Sequence, residues 1–223
     1  MSEFPSPNHG ERRGGVRPSL VVLHYTGMAS CAEARERLCD PFSEVSAHWL
    51  ISEAGVAEAL VPEALRAWHA GAGAWGSIAD VNSHSIGIEL ANPGDRPFPE
   101  TQMAALEHVL RGVLARWDIT ARRVIAHSDM APSRKGDPGW RFDWRRLALQ
   151  GLAVWPEAGD ADVAGFWANL AEFGYPVVLE AEGLTAFRLR FRPWAAGALS
   201  ADDARIAAGL VRIGKGVGLG LAD

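Results

Sequence analysis

The chain has 223 residues, 48% hydrophobic and 22% charged, the make-up of an ordinary globular protein with room for one large domain or a medium one and a small one. A formal net charge of -5 with no long basic run argues against a nucleic-acid surface. The two cysteines, Cys31 and Cys39, form no C-x-x-C pair, which excludes a disulfide framework or a cysteine zinc knuckle and points to free thiols in a reducing compartment.

Residues 1–18 lack the apolar run of a secretory signal, and Arg12-Arg13 has no hydrophobic stretch behind it. This segment is expected to be a disordered leader, with His9 outside any metal site. No later segment reaches transmembrane length. A cytoplasmic location is therefore expected, or a periplasmic one should a leader have been removed.

Ser19-Leu20-Val21-Val22-Leu23-His24 reads as a buried strand closed by the turn Tyr25-Thr26-Gly27, which puts His24 at a strand end. A histidine there is either a satisfied core residue or a metal ligand, since strand ends are where α/β sheets build sites. Ser30 to Leu38 reads as a short helix with Ser30 as N-cap and Glu33 in the capping-box position. Val45–Ile51 and Val56–Val61 flank Ser52-Glu53-Ala54-Gly55 as a hairpin, with His48 expected to be buried and hydrogen-bonded within the sheet. Trp68 and Trp75 bracket His69 and small residues in a loop that is either a platform for a sugar or peptide or ordinary packing.

Ser85 to Asn92 is again strand-like, with Glu89 among apolar neighbours. Burial should raise its pKa into the range of a general base, and a salt bridge to Arg66 is the structural alternative. Met103, Leu106, Leu110, Val113, Leu114 and Trp117 recur at helical spacing, and His108 lies off their stripe. His84 is expected to be exposed. Arg123–Ala126 is a strand delivering His127 to the loop H-S-D-M-A-P-S-R-K-G-D-P-G, where Pro138-Gly139 makes a turn that could return Asp137 to the same point. Imidazole and carboxylate are a partial zinc shell. A catalytic zinc has three protein ligands, so a second histidine must come from elsewhere.

Phe142, Trp144, Leu147 and Leu149 close this unit near Trp155-Pro156, and Glu157-Ala158-Gly159-Asp160 reads as a linker. Three helices follow at about Asp162–Phe173, Glu182–Phe191 and Ser200–Val211, the last with Ser200 as cap, then a flexible glycine-rich tail from 215 to 223. A bundle so small has a limited core, so docking on the preceding unit would help stabilise it. Arg188, Arg190, Arg192 and Arg205 are either a basic face or a solvated helix surface.

Taken together, L-H-Y-T, V-S-A-H-W-L-I, R-A-W-H-A-G, S-I-G-I-E-L and A-H-S-D-M-A-P-S-R-K-G-D-P-G, in that order from Ser19 to Pro156, resemble the zinc-dependent N-acetylmuramoyl-L-alanine amidases of the type 2 family, relatives of phage amidase lysozymes and peptidoglycan recognition proteins. The resemblance implies an α/β fold with a central mixed β-sheet flanked by helices over 19–156. Residues 157–214 resemble, less sharply, a small three-helix peptidoglycan-binding domain. It further implies Zn2+ held by His24, His127 and Asp137, with Glu89 as general base and Lys135 as the oxyanion-stabilising cation. Tyr25, Trp68, His69 and Trp75 would line the substrate cleft, and no other cofactor is implied.

The implied reaction is hydrolysis of the amide between the lactyl group of N-acetylmuramic acid, or its 1,6-anhydro form, and L-alanine, in peptidoglycan turnover or recycling. A muropeptide or peptidoglycan fragment is the expected partner of a monomer without a membrane anchor. The alternative is a non-catalytic muropeptide sensor; such sensors commonly lack a complete metal set. A zinc peptidase would need the H-E-x-x-H helix, which is absent. One departure concerns substrate choice. Members acting on anhydro-muropeptides carry an arginine ahead of the V-S-A-H strand, where this chain has Glu44, and Asp80 stands where another arginine is expected.

Overall fold

The computed structural model describes residues 4–176 and 178–214; the tail expected at 215–223 lies outside the described residues. Five strands form the main sheet in the order β4 (Ala57–Ala59), β3 (Trp49–Ile51), β6 (Ser85–Leu90), β2 (Leu20–Tyr25), β7 (Val124–Ala126). Neighbouring strands are parallel except for the β3–β4 hairpin, so the sheet is mixed with one antiparallel edge. The hairpin turn is the expected one, with Gly55 at φ 84° and its amide on the Ser52 carbonyl.

The apolar runs of β2 and β6 follow from cover on both sheet faces. Side chains alternate along a strand, so Val21 and Leu23 join Ile86, Ile88 and Leu90 on one face, under Met103, Leu106, Leu110 and Val113 of α3 (Glu100–Trp117). The four-residue helix α2 (Val81–His84) leads into β6, and α5 (Trp144–Leu149) adds Trp144 and Leu147 to this core. Leu20 and Val22 point the other way, with Ile125, into a core built with the C-terminal helices α6 (Phe166–Phe173), α7 (Glu180–Phe191) and α8 (Ala201–Gly214). On this second face α1 (Cys31–Cys39) covers Leu50 of β3. Ser30 caps α1 by accepting the Glu33 amide.

Two expectations are corrected. The leader is ordered from residue 4: β1 (His9–Gly10) pairs antiparallel with β5 (Arg66–Ala67), and Ser6, Asn8 and Arg12 are buried. Its polar residues fooled the composition test because they bond backbone rather than solvent. Asn8 donates to the carbonyls of Asp40 and Val45, and the Arg12 guanidinium to those of Ser83, Ser85 and Glu63. Arg188 and Arg190 of α7, and Arg192 just beyond it, form neither a basic face nor a solvated surface, while Arg205 of α8 is exposed. Arg188 and Arg192 pair with Asp203 of α8, and Arg190 is fully buried against Asp129. The C-terminal helices therefore share a core with the sheet. His84 is half-buried, its Nδ1 donating to the Asp80 carbonyl.

Candidate metal centre and active site

Parallel strands end together, and here the ends of β2, β6 and β7 meet at one point of the second face. The β2–β6 register sets His24 opposite Glu89, so both side chains leave the sheet on the same side. Next to them β7 runs into the one-turn helix α4 (His127–Met130), whose first residue is His127. The loop after α4 is tied back by the Ser128 amide on the Asp137 carbonyl, which returns Asp137 to the site.

Three ligand atoms converge. His24 Nδ1 lies 2.9 Å from His127 Nδ1 and 3.1 Å from Asp137 Oδ2, and His127 Nδ1 lies 3.0 Å from that same oxygen. All three residues are buried. Their partners fix the tautomers. The Ser85 hydroxyl gives its one proton to the Val81 carbonyl at 2.6 Å, so the 3.1 Å contact from His69 Nε2 to Ser85 Oγ needs the proton on His69. His69 Nδ1 then accepts from His24 Nε2–H at 3.0 Å, leaving His24 Nδ1 with a bare lone pair. His127 Nε2 donates to the Ala70 carbonyl at 2.9 Å, which likewise leaves its Nδ1 bare.

Two lone pairs and a carboxylate oxygen thus face one another at hydrogen-bond distance with no donor among them. Burial with like partners is costly unless a cation sits between them. Burial, then the neighbouring His127, hold the His24 pKa down at about 4, so the ring is neutral at pH 7. The spacing also suits zinc, whose ligands at roughly 2.0–2.1 Å in a tetrahedron lie about 3.3 Å apart. The donor set fits the ion.

Beside this cluster a cavity of about 420 Å³ is bordered by Tyr25, Trp68, Glu89, Arg37 and Lys135. Arg66, the arginine named as a partner for Glu89, pairs with Asp80. Instead Glu89 Oε2 is buried without a hydrogen-bond partner, and burial followed by the charge of Asp137 pushes its pKa up to about 8, with Lys135 pulling the other way. Lys135 is exposed at the cavity edge.

His48 is the satisfied sheet histidine expected, with Nδ1 accepting the Gly87 amide and Nε2 on the Leu65 carbonyl. His108 is exposed and His9 lies away from the cluster. His69 borders the cavity, with Nδ1 engaged by His24 and Nε2 by Ser85. Gly87 is what admits it: a Cβ there would lie 2.3 Å from the His69 ring.

Trp75 does not line the cleft. It is 3% exposed and packs edge-on to Phe173 and obliquely on Tyr175, because the docked C-terminal helices need an apolar anchor on the catalytic unit. Sequence reasoning also missed Asp129, buried two residues after His127 and bonded by the Ala126 amide, Tyr175 and Arg190. Its proximity to His127 in H-S-D was the available signal, but nothing local to it announces partners 46 and 61 residues away.

The N-acetylmuramoyl-L-alanine amidase family model matches residues 14–140. The amidase AmiD of Escherichia coli is 34% identical over 215 residues, covering 79% of this chain and 76% of that protein. The 1,6-anhydro-N-acetylmuramyl-L-alanine amidase AmpD of Enterobacter cloacae is 33% identical, over 64% of this chain and 86% of its own length. Among solved structures, E. coli AmiD in complex with anhydro-N-acetylmuramic acid-L-Ala-D-gamma-Glu-L-Lys superposes with a TM-score of 0.80 at 30% identity, covering 96% of this chain and 92% of that one. AmpDH3 of Pseudomonas aeruginosa in complex with anhydromuramic pentapeptide gives 0.80 at 29% identity, covering 90% and 94%.

Proposed function

The chain belongs to the N-acetylmuramoyl-L-alanine amidases, enzymes that hydrolyse the amide between the muramic lactyl group and L-alanine, and we propose a division of labour among its residues for that reaction. His24, His127 and Asp137 hold a zinc ion, the reading carried by the two bare lone pairs and the carboxylate that face one another at about 3 Å. Zinc in such a site supplies Lewis acidity to a carbonyl and to water.

Glu89 is the general base. A carboxyl whose pKa is raised to about 8 holds a proton well, and a cation alongside lowers that value toward neutrality, where proton transfer in both directions is efficient. Its Oε2, free of protein partners, takes the proton of the attacking water and returns it to the leaving L-alanine amine. Lys135 at the cavity edge stabilises the oxyanion of the tetrahedral intermediate. Tyr25 and Trp68 flank the muropeptide. Arg37, on the cavity wall, offers the positive charge for stem-peptide carboxylates that Glu44 and Asp80 do not. Anhydro-muropeptides are the preferred substrates in this reading, since AmiD and AmpDH3 are seen with them.

The C-terminal helices contribute a wall-binding surface, supported by exposed Trp194 and by a groove of about 550 Å³ bordered by Trp167, Leu184 and Leu199. The chain acts as a monomer. No described helix is long and apolar enough to cross a membrane; action in the cytoplasm is proposed on the strength of free Cys31 and Cys39. Mass spectrometry of a purified anhydro-muropeptide after incubation tests the activity: the intact stem peptide beginning at L-alanine is expected. Unchanged substrate in the presence of bound zinc would favour the binding-only sensor.

A further inference from the structure

We propose that Arg190, on α7, is a positioning residue for His127, so that the C-terminal helices are part of the metal site's framework as well as a surface for the wall. The inference rests on the reading of His127 as a zinc ligand. Arg190 and Tyr175 both lie beyond residues 14–140, the stretch matched by the family model.

The geometry is a buried clamp on both sides of His127. Before it, Arg190 donates through Nη2 to the Val124 carbonyl at 3.1 Å, on the strand that delivers His127. After it, Arg190 Nη1 meets Asp129 Oδ2 in an ion pair whose side chains are both 0% exposed. The two carboxylate oxygens of Asp129 divide three donors. Oδ2 takes Arg190 and, at 2.9 Å, the Ala126 amide, while Oδ1 takes the Tyr175 hydroxyl. One guanidinium and one carboxylate thereby hold the backbone at residues 124, 126 and 129 around the ligand.

Planarity makes arginine suited to this. Its fork reaches a carboxylate and a carbonyl at once, while its face lies 4.1 Å over the Trp144 ring and 4.8 Å over that of Phe191. A plain structural ion pair would not need to grip the residues flanking a ligand. The neighbouring Arg188 offers the contrast: it is bonded more fully, but to Asp203 of α8 and to the carbonyls of Gly197 and Ala198 in the α7–α8 connection, all within the C-terminal segment.

The test measures zinc affinity of the metal-stripped, full-length chain by competition with a chromogenic chelator, alongside steady-state kinetics at saturating zinc. Arg190→Met should weaken zinc binding by about 10- to 100-fold, the range for groups that orient metal ligands, and lower kcat with little change in KM. Arg188→Met should lower the unfolding midpoint but leave the zinc affinity of the folded protein at the parent value. Tyr175→Phe, which keeps the ring and removes only the hydroxyl, should weaken zinc binding severalfold. It carries the test if Arg190→Met does not fold. Parent-like affinity in the Arg190 variant, or in Tyr175→Phe when that variant is the readable one, overturns the proposal. So does an equal loss in Arg188→Met, which would mark a general consequence of loosening α7. A parent chain that takes up no zinc defeats the metal reading itself, and this inference with it.

Discussion

Glu89 shows how a single side chain can be set against the fold that holds it. Its carboxyl is pushed up to about 8 from an ordinary 4.5, so between those values the folded chain holds a proton that the unfolded chain has released. Folding stability of the metal-free protein must therefore fall as pH rises through that window and level off above it. Glu89→Gln removes the effect and is expected to stabilise the metal-free protein at pH 8 by up to about 4 kcal/mol, with no gain at pH 4. Denaturant melts at the two pH values check this. The same variant should retain zinc while turnover drops by roughly 10²- to 10⁴-fold, the usual share of a general base; parent-rate hydrolysis would show that another group moves the proton. Glu89 was legible in the sequence because an acid in an apolar strand requires an explanation. Asp129 was not, because an acid beside prolines and serines in a loop requires none.

At the scale of elements, β6 contributes more to the cluster than Glu89 alone. Ser85, Gly87 and Glu89 alternate onto the same face. The first anchors His69, the second leaves it space, and the third faces the cavity. Gly87→Ala would place a methyl within 2.3 Å of the His69 ring and displace the imidazole that fixes the His24 tautomer. Overpacking of this kind typically costs about 1–3 kcal/mol. Zinc affinity should fall with stability, read by calorimetric titration and thermal melting; unaltered zinc binding would mean that His69 does not orient His24. The strands and helices themselves were legible from periodicity, since β2, β6 and α3 are long enough to show it. The ordered leader was not, because its two-residue strand β1 has no period to read and its buried groups are polar. Trp75 was misplaced for a related reason: a tryptophan beside glycines looks the same whether it meets a sugar or a docked helix.

Among the described residues the five-stranded sheet carries a large apolar core on each face, and the one on the second face is completed by the C-terminal helices. Cutting the chain after Pro156 should bare Leu20, Val22, Trp75 and Ile125, a patch large enough to promote association. Light scattering and binding of a hydrophobic dye should report aggregation of that fragment, whereas a stable, monomeric, active fragment would show that the second core is dispensable. The sequence revealed three helices and the need to dock them, but their contacts join residues far apart in the chain and only the folded structure displays them. Above all, the proposed reaction depends on one ion gathering three side chains from the ends of separate strands and a loop. Muropeptide cleavage followed during stepwise addition of zinc to the metal-stripped enzyme tests that most directly. Activity should rise linearly and saturate at one equivalent, with His127→Ala flat throughout. Full cleavage before any zinc is added, or a His127→Ala response matching the parent, would contradict it.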